Sequence, residues 1–215
     1  MEGQTHRDFL LKSERGRKFL ENYKLAFGEI HQEVVELDDV IEQIFIALLS
    51  DGHVILEGEP GVGKTLTANT IARVIAAKRS RIQFTSDTKP EDLYFSIGGL
   101  NESEGTTLKE VRLGPGPLFG QIIVADEINR ANGRTFGPVI EALEEKQVTF
   151  ESKTHDLGPF YFWMATQNPV ESAESTIQLP EALQERFLLM VHVPYPTPEL
   201  LRKIAVHDTR KKNIV

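Results

Sequence analysis

The chain has 215 residues, 40% of them hydrophobic and 26% charged, enough for one sizeable core. A formal net charge of −8 provides no overall positive field for nucleic acid or anionic lipid, and the absence of cysteine excludes disulfides and thiolate metal sites. No apolar run approaches the ~20 residues of a membrane helix, and the start, "MEGQTHRDFLLKSERGRKFLENYK", mixes apolar and charged residues where a secretory leader is uninterrupted, so a soluble cytoplasmic protein is the expectation.

In chain order, the pattern predicts a first amphipathic helix over residues 6 to about 26. A second covers "LDDVIEQIFIALLS", with Asp38 as its cap and Val40, Ile41, Ile44, Phe45 and Leu48 on one apolar face. "HVILE", residues 53–57, is short, β-branched and followed by Gly58, the signature of a buried strand. Helix "KTLTANTIARVIAAK" follows a glycine-rich turn, and strand "RIQFT" follows the helix. Residues 98–117 break the alternation, and the residues alone leave a long hairpin insert and an irregular loop equally open. Beyond them lie strand "QIIVAD", helix "RTFGPVIEALEEK", strands "QVTF" and "FYFWMATQ", helix "LPEALQERF", strand "LLMVHV" and a last helix from about Thr197. Strands alternating with helices predict an α/β fold with a largely parallel sheet covered on both faces.

"GEPGVGKT", Gly58 to Thr65, fits the G-x-x-x-x-G-K-[ST] pattern, with a strand before it and a helix after it. Backbone N–H groups can converge on phosphate oxygens only where side chains do not obstruct, which accounts for Gly58, Gly61 and Gly63. The helix beginning near Lys64 turns its positive end toward the phosphates; the Lys64 ammonium reaches the outer ones, and the Thr65 hydroxyl suits Mg²⁺. "QIIVADEINRAN" ends an apolar strand in Asp126 and Glu127, and the carboxyl ends of parallel strands are where ligands bind. Asp126 is the expected Mg²⁺ ligand and Glu127 the expected general base for an attacking water. Asn168, closing "FYFWMATQN", is placed to bond the γ-phosphate or that water, although an Asn before Pro169 also suits a plain turn. Arg186, before an apolar strand, is either a surface charge or a finger reaching a neighbouring subunit's nucleotide. The histidines at 6, 31, 53, 155, 192 and 207 show no metal-ligand spacing, and His53 reads as a strand-start residue.

Taken together, "GEPGVGKT", "VADEINRA", "ATQNP" and "LPEALQERF", in this order, resemble an AAA+ ATPase core. "GHVILEGEPGVGKTL", "GPGPLF", "ADEINRA", "EALEEKQVT" and "ATQNPVE" narrow the resemblance to the MoxR family, over about residues 34–196. The resemblance implies a three-layer αβα P-loop NTPase fold with a five-stranded parallel sheet and a helical lid, assembled into rings, usually hexamers, with ATP and Mg²⁺ between subunits. Residues 1–30 would form an N-terminal helical segment, 31–197 the core, and 198–215 the start of the lid, whose remainder and second sensor arginine would lie on a longer chain or, as the less favoured alternative, come from elsewhere. Carried onto this sequence, Glu59, Pro60, Gly61, Val62, Gly63, Lys64, Thr65 and Leu66 form the phosphate loop. Thr65 and Asp126 serve the metal, Glu127 is the catalytic carboxylate acting as base, Asn168 the first sensor and Arg186 the finger. Arg130 matches a second arginine near the subunit boundary, and Val34 and Val35 line the adenine pocket. Residues from about Glu91 to Gly116 match a β-hairpin inserted at the second helix and facing the pore, which favours the hairpin over the loop. The family is associated with chaperone-like remodelling of protein clients, often beside von Willebrand A-type partners.

The sequence departs from the family text at Glu36 and Leu37, where Gly-Gln is usual, at Phe136, where Gln is common, and in "ESAESTIQLPEA", which lacks the usual Gly and Tyr-Pro. Two other readings stand beside an ATP-driven motor. One is a nucleotide-binding or assembly module inactive without a lid. The other is a nucleic-acid motor, favoured only by scattered Lys109 and Arg112 against an acidic whole.

Overall fold

The computed structural model describes residues 13–98, 112–170 and 176–212. Its first helix, α1 (Glu14–His31), starts where the Ser13 hydroxyl accepts from the Gly16 N–H at 2.9 Å. It runs five residues beyond the predicted end, and the predicted stretch before Ser13 lies outside the described residues. Helix α2 (Asp38–Leu49) buries Val40, Ile41, Ile44 and Phe45, as the periodicity predicts. Asp38 is not its cap: Leu37 holds that position without a side-chain bond, and Asp38 lies in the first turn, where a negative charge still complements the helix dipole.

Strand β1 (Val54–Glu57) leads through the glycine turn into α3 (Lys64–Val74), then come β2 (Arg79–Gln83) and the short α4 (Pro90–Tyr94). Helix α3 stops four residues before the predicted end because Ile75 turns extended, and β2 begins earlier than "RIQFT". Strands β3 (Phe95–Gly98) and β4 (Arg112–Pro115) pair antiparallel, so the arms of the predicted insert do form a hairpin. Its connecting residues lie outside the described set. The order continues with β5 (Ile122–Asp126), α5 (Phe136–Glu145), the antiparallel pair β6 (Gln147–Phe150) and β7 (Lys153–Asp156), β8 (Phe162–Gln167), the four-residue α6 (Glu181–Gln184), β9 (Leu189–His192) and α7 (Pro198–Lys212).

Five strands form one parallel sheet in the order β2-β5-β8-β1-β9. One face packs Val54, Leu56, Ile122, Val124 and Met164 against α1, α2 and α3. The other packs Ile55, Ile123, Ala125, Trp163 and Ala165 against α4, α5 and α6. These are the three layers expected, and the near-continuous burial of β1, β5 and β8 is that of strands covered on both sides. Among the described residues, no helix is long and apolar enough to cross a membrane.

His53 is the residue just before β1, 3% exposed, with its Nδ1 accepting from the Trp163 N–H at 3.3 Å and its Nε2 facing the Leu143 carbonyl at 3.4 Å. These partners fix a neutral ring with the proton on Nε2. Burial pushes its pKa down from 6.5 to about 4, so the unfolded chain takes the proton first. The stability held by the neutral ring is complete above pH 6.5 and is lost as pH falls toward 4. Between pH 7 and pH 5 the wild type is expected to lose about 2 kcal/mol that His53→Gln does not lose, read as the change in urea midpoint of each protein.

Candidate active site

The sheet order puts β8 between β1 and β5, so the ends of three strands distant in sequence converge at one edge. At the end of β1, Gly58 allows β9 to close in: a Cβ there would sit 2.5 Å from the Val193 carbonyl, whose residue also donates its N–H to the Glu57 carbonyl at 2.7 Å. Gly61 and Gly63 then adopt φ of 84° and 96°, a region that side chains disfavour, and a Cβ on either would project into open space. Together with Pro60, Lys64, Thr65 and Leu66 they line a cavity of about 300 Å³, closed on its far side by Glu127, Thr166 and Asn168. The first amides of α3 have no intrahelical acceptor and carry the positive end of the helix dipole into this space.

Polar side chains join these elements. Lys64, 7% exposed, donates from Nζ to the carbonyls of Gly58 at 2.6 Å and Glu59 at 2.8 Å, and to the Asn168 Oδ1 at 3.0 Å. Burial pulls its pKa below the ordinary lysine value, against the opposing carboxylates of Glu59, Glu127 and Glu57. The Thr65 hydroxyl donates to the Asp126 Oδ1 at 2.7 Å. Asp126 is 1% exposed, and its Oδ2 accepts from the Arg81 Nε at 2.7 Å. Glu127 sits at φ 53°, a left-handed backbone that costs a non-glycine residue on the order of 1 kcal/mol, and its N–H is held by the Thr166 Oγ1 at 3.0 Å. Its carboxylate lies between the Gln83 Nε2 at 3.2 Å and the Arg130 Nε at 3.3 Å.

The donor set suits a hard divalent cation: a hydroxyl and a carboxylate already in mutual contact, beside a glycine cradle shaped for anionic oxygen. A second cavity of about 450 Å³ shares Gly61, Gly63 and Leu66 with the first and is walled by Val34, Val35, Leu37, Val62 and Tyr195. Its apolar lining and its continuity with the glycine cradle suit a flat heterocycle.

The model of the ATPase family associated with various cellular activities matches residues 53–189, which include the glycine turn, Lys64, Thr65, Asp126, Glu127 and Asn168. Chaperone MoxR1 of Mycobacterium tuberculosis is 40% identical over 179 residues, 83% of this chain and 46% of its own length. The chain belongs to the MoxR family of AAA+ ATPases. Protein MoxR of Methylorubrum extorquens is 31% identical over 85% of this chain and 52% of its own. A crystal structure from Cytophaga hutchinsonii, provisionally designated an ATPase, superposes with a TM-score of 0.76 at 32% identity, covering all of this chain and 60% of that one. This MoxR-family chain thus spans about half the length of the curated relatives it matches.

Of the residues singled out from sequence, Lys64, Thr65, Glu127 and Asn168 line one cavity, and Asp126 joins them through the Thr65 hydroxyl. Arg130 lies within ion-pair distance of its own chain's Glu127. Arg186 is drawn to Glu144 at the end of α5, 2.8 Å away, and does not line the cavity. Four residues of this MoxR-family site were not anticipated: Thr166, Gln83 and Arg81, which hold the two acids, and Asn129, whose Nδ2 donates to the Asn168 carbonyl at 2.8 Å. The only sequence signal for Arg81 and Gln83 was their alternation in "RIQ", which puts both on one face of a strand.

Proposed function

We propose that this chain binds ATP with Mg²⁺ and hydrolyses it, and that the turnover drives chaperone-like remodelling of protein partners by a homo-oligomeric ring, most simply a hexamer. The observation that carries the reading is the direct bond from Lys64 on α3 to Asn168 beyond β8, beside the Thr65–Asp126 contact. The glycine turn, Asp126 and Asn168, separated by up to 104 positions, are linked through the adjacent Lys64 and Thr65.

In this reading the amides from Gly61 to Thr65 and the Lys64 ammonium hold the phosphates, and Val34 and Val35 flank the base. Thr65 and Asp126 would hold Mg²⁺, which when bound supplies charge neutralisation at the outer phosphates. Glu127, once turned from Gln83 and Arg130, orients a water and takes its proton. Asn168, released by Lys64, bonds the γ-phosphate or that water. Arg186 of one subunit completes the site of the next, and von Willebrand A-type proteins are the partner class that the family resemblance favours.

Arg186→Ala tests the ring directly. Phosphate release per chain is expected to rise with protein concentration in the wild type and to stay at the low-concentration level in the variant, a loss of about 10³-fold if the arginine acts in trans. ATP affinity of the dilute chain should be unchanged. Wild-type turnover independent of concentration, or a variant as active as the wild type, would contradict the trans role.

A further inference from the structure

We propose that Arg81 is a resident counter-cation for Asp126, and that it sets how much Mg²⁺ the site needs. The inference rests on the reading of Asp126 as a metal ligand and concerns a residue that the motif does not contain. Arg81 lies on β2, opposite Val124 of β5 and on the same face of the sheet as Asp126 two positions further on. From there its Nε donates to the Asp126 Oδ2 at 2.7 Å. The other carboxylate oxygen takes the Thr65 hydroxyl at 2.7 Å and faces the Thr166 hydroxyl at 3.4 Å. Both oxygens of a buried acid are therefore engaged, and among the described residues the full positive charge on them comes from Arg81 of β2.

The arrangement has two consequences. A carboxylate that is 1% exposed needs a compensating charge before any metal arrives, and Arg81 provides it and aims the group. A cation that binds Asp126 must then share that carboxylate with a fixed guanidinium, so Mg²⁺ binds more weakly than it would to the same acid alone. The guanidinium is steadied from its other side, where its Nη2 donates to the Gln83 Oε1 at 3.2 Å. Because the Arg81 side chain is more than half exposed, it can swing into solvent as metal enters, without disturbing either core.

The test is a Mg²⁺ titration of fluorescent ATP-analogue binding to the wild type, Arg81→Gln and Arg81→Lys. Arg81→Gln keeps a hydrogen-bond donor and loses the charge, and its Mg²⁺ midpoint should fall about tenfold. Arg81→Lys keeps the charge and should stay within about twofold of the wild type. Analogue binding measured without Mg²⁺ in all three separates damage to the nucleotide cradle from a change in metal demand. A Mg²⁺-dependent wild type with an unchanged midpoint in Arg81→Gln would overturn this inference alone. A wild type whose binding ignores Mg²⁺ would overturn it together with the metal reading on which it rests.

Discussion

Replacing Glu127 with Gln is expected to leave ATP bound while slowing hydrolysis by about 10²–10⁴-fold, the range lost when a positioned base is removed. The substitution keeps the length and shape of the side chain. It also leaves the N–H bond to Thr166 that fixes the left-handed turn, so the fold is not the quantity at risk. What disappears is the carboxylate now shared between Gln83 and Arg130. Single-turnover hydrolysis and analogue binding, measured on the same preparation, separate the two effects. Equal turnover in the variant would remove Glu127 from the chemistry; lost binding would make it a structural residue of the cradle.

Lys64→Ala is expected to act at the preceding step. Its ammonium is the group that joins the Gly58 and Glu59 carbonyls to Asn168, and in the proposed complex it would turn from those acceptors to the phosphates. Removing a charge-assisted donor from a largely buried position should weaken ATP binding by about 3 kcal/mol, roughly a hundredfold in Kd. The cost in the free protein is expected to be smaller, because water can enter a cavity of about 300 Å³ and satisfy the three acceptors left behind. Analogue titration checks the first value and the thermal midpoint checks the second. A Kd within twofold of the wild type would place the phosphates elsewhere.

The legible parts of the site were those written in consecutive residues. "GEPGVGKT" encodes its own backbone: Gly61 and Gly63 take the positive φ that only glycine adopts easily, and α3 starts at Lys64 as read. Asp126 and Glu127 were legible because an all-buried strand stops at the first acid. The clamp on those acids was not, because Arg81 and Gln83 reach them through the pairing of β2 with β5, a register that neither strand states by itself. The end of α3 was misread for a local reason: "VIAAK" carries good helix formers, but the chain must turn extended at Ile75 to enter β2. Strand β7, "KTHD", has no apolar alternation and exists by pairing with β6.

Glu36 shows a departure from the family text turning into geometry. Its φ is 53°, a left-handed conformation that the family's usual glycine takes without strain. Here a glutamate on the wall of the apolar cavity occupies it, and its carboxylate pairs with Lys203 of α7. An exposed pair of this kind contributes little to stability, so it does not by itself account for the glutamate.

The most direct test of the account is a structure of the Glu127→Gln chain crystallised with ATP and Mg²⁺. The triphosphate should lie over the amides of Gly61 to Thr65, with the metal bound by the Thr65 hydroxyl and the Asp126 carboxylate, and with Lys64 turned from Asn168 to the outer phosphates. A nucleotide bound away from that turn, or phosphates out of reach of both Lys64 and Asp126, would contradict it.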